Sequence, residues 1–390
     1  MTIATLTRQS YRRRESVRQP LRAAEFFAGI GLVRLALEKH GWDVVFANDI
    51  DSDKLEIYKA NFDSTDFKLC DIHNLSADDI PTCELFTASF PCNDLSIAGA
   101  WEGLNGKESS TFWGLIRILK ELGRLRPPLI MLENVVGFLQ ANGGKDFETA
   151  LLALNKLGYI VDAFILDAVH WTPQSRARLF VVAKNDCGNS TNKMAMVCEA
   201  RPESLAVFIN AHQHIHWDLR DLPKLPRPKL RLRDIVEDLP DDDTHWWSRD
   251  RAEYFFGQLS KRHLMAARLM IGQKKYQYAT AFRRVRHGKS MAELRTDGIA
   301  GCLRTPRGGS GRQILFKAGK GKYQVRLLTA RECARLQGAP DEYVIDVPLN
   351  QALFGFGDAV CVPAVGWIAK NYLTPVASMF NSRKTLPMLF

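Results

Sequence analysis

Glu25-Phe26-Phe27-Ala28-Gly29-Ile30-Gly31 is the stretch that decides the fold. Ala23–Phe27 is an apolar run of strand length, and the glycines after it make a turn where backbone can approach a ligand closely. Leu32–His40 then carries a helical period that Gly41 stops, and Val44–Ala47 is a second strand with Asp49 at its end. A helix N-terminus favours a negative group, and a distal acid accepts hydrogen bonds from ribose hydroxyls. The third glycine of a dinucleotide fingerprint is absent, because Arg34 stands there. NAD, FAD and S-adenosylmethionine all stay open on this stretch alone.

The same alternation continues downstream. Leu85–Ala88, Leu129–Leu132, Ile160–Leu166 and Leu179–Ala183 read as strands. Ser110 or Thr111 caps a helix with Phe112, Leu115, Ile116, Leu119 and Leu122 on one face. This is an α/β chain with a Rossmann-like, mostly parallel sheet, whose ligands sit at the carboxyl ends of the strands. After Lys184 the alternation stops. Residues 187–325 read as a smaller, loop-rich module with Pro223, Pro226 and Pro228, an acidic run Asp241–Asp243 expected to be a solvated turn, and basic stretches around Lys274–Lys289. From Leu327 helical periodicity returns. Thr329 and Glu332 form a capping box, and Gly338 ends that helix. Gly355–Val360 reads as a glycine turn and Val362–Tyr372 as a last helix. The expected division is a basic arm 1–20, a catalytic unit 21–186, the module 187–325, a return 326–375 and a loose tail 376–390.

Composition narrows the class. The 390 residues are 46% hydrophobic and 25% charged, ordinary for a globular enzyme. No run of roughly 18 uncharged apolar residues is present, and the arginine-bearing N-terminus has no apolar core after it. Eight cysteines without a CxxC pair suit a reduced compartment, so a cytoplasmic protein with free thiols is expected. The net charge of +10 is uneven: residues 187–325 hold 26 Lys/Arg against 14 Asp/Glu, and residues 1–22 hold six Arg against one Glu. That pattern suits either a polyanion-binding surface or a solvated basic face. His212, His214 and His216 alternate without a cysteine or carboxylate spaced nearby, so no metal is expected. Residues 93–110, with Gly99, Gly103, Gly106 and Lys107, read as a mobile lid or an ordinary loop.

Six blocks in fixed order make the reading specific. They are Phe27–Gly31, Pro91-Cys92, Glu133-Asn134-Val135, Gln174-Ser175-Arg176-Ala177-Arg178, the run Arg326–Gly338, and Gly357-Asp358-Ala359-Val360. Together they resemble the DNA cytosine-5 methyltransferase family of bacterial type, over residues 22–186 and 326–373, with a variable segment between. A nicotinamide oxidoreductase would share only the glycine turn and Asp49. Relatives acting on tRNA have a much shorter segment in place of 187–325, and a binding protein on a decayed scaffold would not need Cys92, Glu133 and Arg178 together.

The resemblance implies a chemistry. Carbon 5 of cytosine is a poor nucleophile, and adding a thiolate to carbon 6 makes the ring an enamine that can attack a methyl sulfonium. Cys92 takes that role. Glu133 protonates or hydrogen-bonds ring N3, Asn134 holds the cysteine loop, Arg178 meets the O2 edge, and Arg176 supports the loop or a phosphate. The base is expected out of the helix stack. S-adenosylmethionine would lie against Phe27, Gly29, Gly31 and Pro91, with Asp49 on the ribose, Ile50 on the adenine, and Asp71 with Ile72 at its amino group. Asp358, Ala359 and Val360 would close the methionine end. Glu25 stands for the usual Asp, Asn93 for the usual Gln, and Asp358 for the usual Asn, which puts the contact at 358 in question. The module 187–325 would be the target-recognition domain on double-stranded DNA, with Arg283, Arg284, Arg286, Arg304, Arg307 and Arg312 as the candidate contacts. A monomer on the nucleoid, beside a restriction or other phage-defence system, completes the expectation.

Overall fold

In the computed structural model, which describes residues 20–91, 111–185, 193–286, 288–306 and 311–384, the apolar runs pair into one seven-stranded sheet. Its strands are β1 (Leu21–Phe26), β2 (Trp42–Asp49), β3 (Phe67–Leu69), β4 (Leu85–Ala88), β5 (Leu129–Val135), β6 (Tyr159–Asp167) and β7 (Ala177–Asn185). Their order is β3-β2-β1-β4-β5-β7-β6. β7 runs antiparallel to both neighbours, and the other pairs are parallel. The reversal has a length cause: only residues 168–176 join β6 to β7, too few for a parallel crossover of a dozen or more. Strand order changes direction between β1 and β4, and the crevice at their carboxyl ends is where a ligand fits such a sheet.

Helices cover both faces. On one face α1 (Leu32–Glu38) shares a core with C-terminal helices, including Leu37, Phe164, Val365 and Tyr372. On the other, α3 (Thr111–Leu122) and α4 (Lys145–Lys156) bury Phe112, Leu115, Phe147 and Leu151. Between β2 and β3, α2 (Ser52–Lys59) starts on the Asp51 side chain, which accepts from the amides of Asp53 and Lys54.

Past β7 the periodicity stops, but the core does not change. Leu205, Phe208 and Ile209 on α5 (Glu203–Ala211), with Trp217, bury against the α4 face. Leu225, Leu232 and Ile235 join the α1 face. Arg201 fastens this strap, donating to both carboxylate oxygens of buried Asp162 on β6 at 2.8 and 2.9 Å. A core of separate composition gathers only Ala252 through Val325. It holds α6 (Arg249–Gly257), α7 (Lys261–Ile271) and an antiparallel sheet of β8 (Gln277–Arg286), β9 (Lys289–Arg295), β10 (Ile314–Gly319) and β11 (Lys322–Leu327), ordered β11-β10-β8-β9. The change of core therefore falls well after the change of composition at 187, because an irregular strap buries apolar side chains without any period.

Two C-terminal expectations are corrected. The expected glycine turn at 355–360 is largely helix, the end of α9 (Leu349–Asp358), which follows α8 (Ala330–Leu336). Its glycines serve close approach: a Cβ on Gly357 would stand 2.6 Å from the Thr305 nitrogen, and one on Gly355 would stand 2.8 Å from Ile30. The expected loose tail from 376 is helix to 384. After α10 (Val362–Ile368) the chain widens by one turn at Ala369–Leu373 and continues as α11 (Thr374–Lys384). Pro375 accounts for the widening, since it lacks an amide and its ring crowds the carbonyl four residues back. Val376 and Ala377 are buried, and Trp42 Nε1 donates to Thr374 Oγ1 at 2.9 Å. The stretch Leu349–Ser382 is long and apolar enough to cross a membrane by composition, yet 67% of its apolar window is buried inside the protein.

Candidate active site

The crevice is built around a strained turn. Phe27, Gly29 and Gly31 all take positive φ, at 57°, 56° and 80°. A non-glycine residue there costs energy, and such strain persists where surrounding contacts enforce it. Asp49 supplies one such contact. Its Oδ2 accepts the Gly29 amide at 2.7 Å and its Oδ1 the Asp51 amide at 3.0 Å. Beside it Ile50 is 67% exposed, a large apolar side chain left at the mouth of the crevice. Asp71 accepts the His73 amide at 2.9 Å and stays partly exposed. Ile72, next to it, has its side chain buried in the core under α3.

Asp358 finds a partner that the sequence did not reveal. Lys54 Nζ lies 2.8 Å from its Oδ2, across 304 positions. Burial works against the Lys54 charge, but Asp358 and Asp49 outweigh it and raise its pKa. A carboxylate at 358 is thereby offset by a fixed cation. Ala359 and buried Val360 follow in the same turn, against Arg176 and Gln337.

Glu133 lies near the carboxyl end of β5 almost fully buried, with its Oε1 3.1 Å from Arg178 Nε on β7. Burial pushes its carboxyl above the usual range, although Arg178, Arg176 and a Ser89 hydrogen bond pull the other way. A carboxyl that takes up a proton readily and faces a fixed cation is a proton donor beside an electrostatic stabiliser. Asn134 Nδ2 donates to the Phe90 carbonyl at 3.3 Å, and its Oδ1 accepts the Val135 amide at 2.8 Å. It thus fixes the backbone just ahead of Pro91. Cys92 lies outside the described residues, as do Gly99, Gly103, Gly106 and Lys107. Arg176 is buried and spends its Nη groups on carbonyls: Leu303 at 2.7 Å, Gly357 at 3.0 Å and Ala359 at 2.7 Å. It ties loops together, and those bonds turn it away from any phosphate. Gln174 does the same, bonding Leu336 and the Leu303 amide at 2.9 Å each. Cys302, which sequence reading passed over, sits against both arginines.

A family model for C-5 cytosine-specific DNA methylase matches residues 21–374. The chain belongs to that family. Among curated relatives, Type II methyltransferase M.DsaV of Dactylococcopsis salina is 28% identical over 358 residues, 92% of this chain and 87% of its own. Type II methyltransferase M.HhaI of Haemophilus parahaemolyticus is 28% identical over 360 residues, covering 90% and 94%. In fold, the methylase resembles the Dnmt2 methyltransferase of S. pombe, with a TM-score of 0.61 at 21% identity, covering 91% of this chain and 99% of that one. A putative DNA modification methyltransferase from an E. coli prophage gives 0.55 at 18%, covering 93% and 99%. It is a DNA cytosine-5 methyltransferase, and DNA is its partner.

Of the methylase's candidate DNA contacts, Arg283, Arg284 and Arg286 lie on an overhang of the small sheet. β8 runs on through Phe282–Arg286 after its last pairing with β10, held only by β9. Those five residues extend about 17 Å, at the sheet end from which β11 returns to the large unit. Arg284 there is exposed, over the Phe282 ring at 4.9 Å. Arg283 is half-buried, its Nε on Gln258 at 3.0 Å and its guanidinium over Trp247, which Arg251 also covers. Arg304 is exposed, while Arg312 turns inward to Asn350 at 2.7 Å. The side chain of Arg286 and all of Arg307 lie outside the described residues. Asp241 and Asp242 form the exposed turn expected there, and the Asp241 carboxylate, 52% exposed, meets Lys317 and Lys322 at 3.1 and 3.0 Å. His214 pairs with Glu148 at 2.8 Å, and His212 stacks on Phe208.

Proposed function

We propose that the methylase moves a methyl group from S-adenosylmethionine to carbon 5 of a cytosine swung out of duplex DNA, with Cys92 adding to carbon 6. The observation that carries this is the buried Glu133–Arg178 pair beside Asn134, which grips the carbonyl two residues before Cys92. The crevice suits the cofactor by its donor set: Asp49 for a ribose, exposed Ile50 for an adenine face, and Lys54 with Asp358 at the charged end. When bound, the cofactor supplies a methyl on a positive sulfur. The protein does the rest. Glu133 in its protonated form hydrogen-bonds ring N3 and draws electrons from carbon 6; Arg178 steadies charge at O2; the Cys92 thiolate bonds to carbon 6, and later leaves as a water takes the proton from carbon 5 and those electrons re-form the ring double bond. We further propose residues 187–325 as a target-recognition domain with 21–186 and 326–375 as the catalytic unit, and a monomer working on the nucleoid as the modification arm of a restriction or other phage-defence system.

Labelled S-adenosylmethionine is expected to pass its methyl to duplex DNA, and bisulfite sequencing of DNA from expressing cells would give the motif. Transfer to tRNA but not DNA, or binding without transfer, would overturn the reading. Glu133→Gln is expected to lower kcat by about 10²- to 10⁴-fold. The protonated carboxyl is the active form, so the parent rate falls as pH rises through its raised pKa, and the Gln variant should lose that limb. An unchanged pH profile would remove Glu133 from proton transfer.

Phosphate contacts dominate such binding, so log affinity should fall linearly with log salt, by roughly 0.9 per phosphate contact. Arg284→Ala should flatten that slope by about one contact, as measured by DNA titration at several salt concentrations. An affinity independent of salt would dissociate the overhang from DNA.

A further inference from the structure

Cys302 takes no part in the chemistry above, yet its sulfur meets both arginines of the Gln174–Arg178 block. Arg176 Nη1 lies 3.3 Å from Sγ and Arg178 Nη2 3.8 Å, and the Leu303 carbonyl at 3.3 Å is the acceptor a protonated thiol would use. Arg176 is buried at 2% exposure, and its other partners are carbonyls; among the described residues no carboxylate pairs with it. A guanidinium buried without a counter-charge is costly, and Arg178 beside it adds a second positive charge. Among the described residues, the Cys302 sulfur is the ionisable group in contact with Arg176 that can supply a negative charge.

We propose that Cys302 stands as a thiolate bridging Arg176 and Arg178, and that it is a positioning residue holding the Arg178 guanidinium against Glu133. This rests on Arg178 as the cation that faces the base. The groups around the sulfur agree with an anion. Among the described residues, β7 and the residues before it present Arg178 and Arg176, its own loop presents Arg304, and Glu133 on β5 is the carboxylate paired with Arg178. Burial pushes the thiol up, but Arg176, Arg178 and Arg304 outweigh it and bring it down to about 7. Cys70, Cys83, Cys333 and Cys361 go the opposite way, each raised by burial. The bridge would make the arginine pair pH-sensitive. Above the thiol's titration the arginines are tied together; below it Arg178 has one anchor fewer.

The first test uses the free, full-length protein without DNA or cofactor. Thiolate ultraviolet absorbance is followed against pH in Cys92→Ser and in Cys92→Ser combined with Cys302→Ser. One step near 7 should vanish in the double variant. The same step should appear in unmutated protein as the pH dependence of iodoacetamide labelling at Cys302, read by peptide mass, which covers the case of a variant that fails to fold. Methyl transfer gives the second test. Cys302→Ala should lose about tenfold in kcat, the scale of one charge-assisted hydrogen bond, with the DNA KM nearly unchanged. Cys302→Asp, a fixed anion, should recover most of it and lack the inflection near neutrality. Absence of the absorbance step, or equal rates for Ala and Asp at every pH, would overturn the proposal. An unmutated protein inactive on DNA would instead defeat the methyl-transfer reading, and the absorbance step would still decide the state of Cys302.

Discussion

Cys92→Ala is expected to erase methyl transfer to DNA, by at least about four orders of magnitude in kcat. Loss of a nucleophile leaves only positioning and electrostatics to work on the ring, and in enzymes of this logic that residue is the larger part of the rate. The expectation exceeds that for Glu133→Gln because water or amide donors can partly replace a proton donor, whereas alanine offers nothing that bonds to carbon 6. A free thiol has a pKa of about 8.5 and is only slightly ionised at neutral pH, so the loop must favour the thiolate. Arg178 is the cation on β7 that shares this end of the sheet with the Phe90 carbonyl gripped by Asn134. The variant should still bind DNA with the parent's salt dependence, since the cations of the β8–β9 overhang are untouched. Measurable transfer by the alanine variant, at even a hundredth of the parent rate, would mean that carbon 6 is attacked by another group or by none.

What the sequence made legible was local. The strands expected at Leu85–Ala88, Leu129–Leu132, Ile160–Leu166 and Leu179–Ala183 all lie within β4 to β7, because both sheet faces are covered and the runs are uninterrupted. The Thr329–Glu332 capping box forms as read, with Thr329 Oγ1 accepting the Glu332 amide at 3.1 Å. The glycine turn and Asp49 meet as expected, since 20 residues and one helix bring them together. What stayed hidden joins distant positions. Lys54 meets Asp358 over 304 residues and Cys302 meets Arg178 over 124, and no periodicity encodes either. The strap 193–235 was hidden for another reason: its apolar residues are spaced by loops, so burial leaves no regular signal. Gly355 and Gly357 misled because glycine marks close approach as readily as a turn, and here the approaching groups are Ile30 and the Arg304–Thr305 backbone.

Glu332→Ala is expected to be the most destabilising single change in the chain, costing about 3–5 kcal/mol. Arg326 and Glu332 are both 0% exposed and joined by two bonds of 2.7 and 2.5 Å. The Glu332 carboxylate also accepts the amides of Thr329 and Glu237, at 2.9 Å each. Removing it leaves a buried guanidinium whose remaining partners are the Leu327 and Glu237 carbonyls and the Trp246 ring. The damage falls at a junction, because Arg326 lies on β11 of the small sheet, one residue before its end, and Glu332 lies in the first turn of α8 in the large unit. Urea unfolding should therefore show both a lower midpoint and a separation of the two cores, with the melting temperature down by roughly 5–15 °C. Replacing the pair together, Arg326→Met with Glu332→Leu, should recover part of the loss, since the uncompensated charge goes too, though the bonds to the Thr329 and Glu237 amides do not return. The exposed Arg249–Glu253 pair is the control: a bond of similar length, 2.7 Å, at 89% and 54% side-chain exposure, should give no measurable change when broken. Equal effects for the buried and exposed pairs would show that length, and not burial, sets the strength of these contacts.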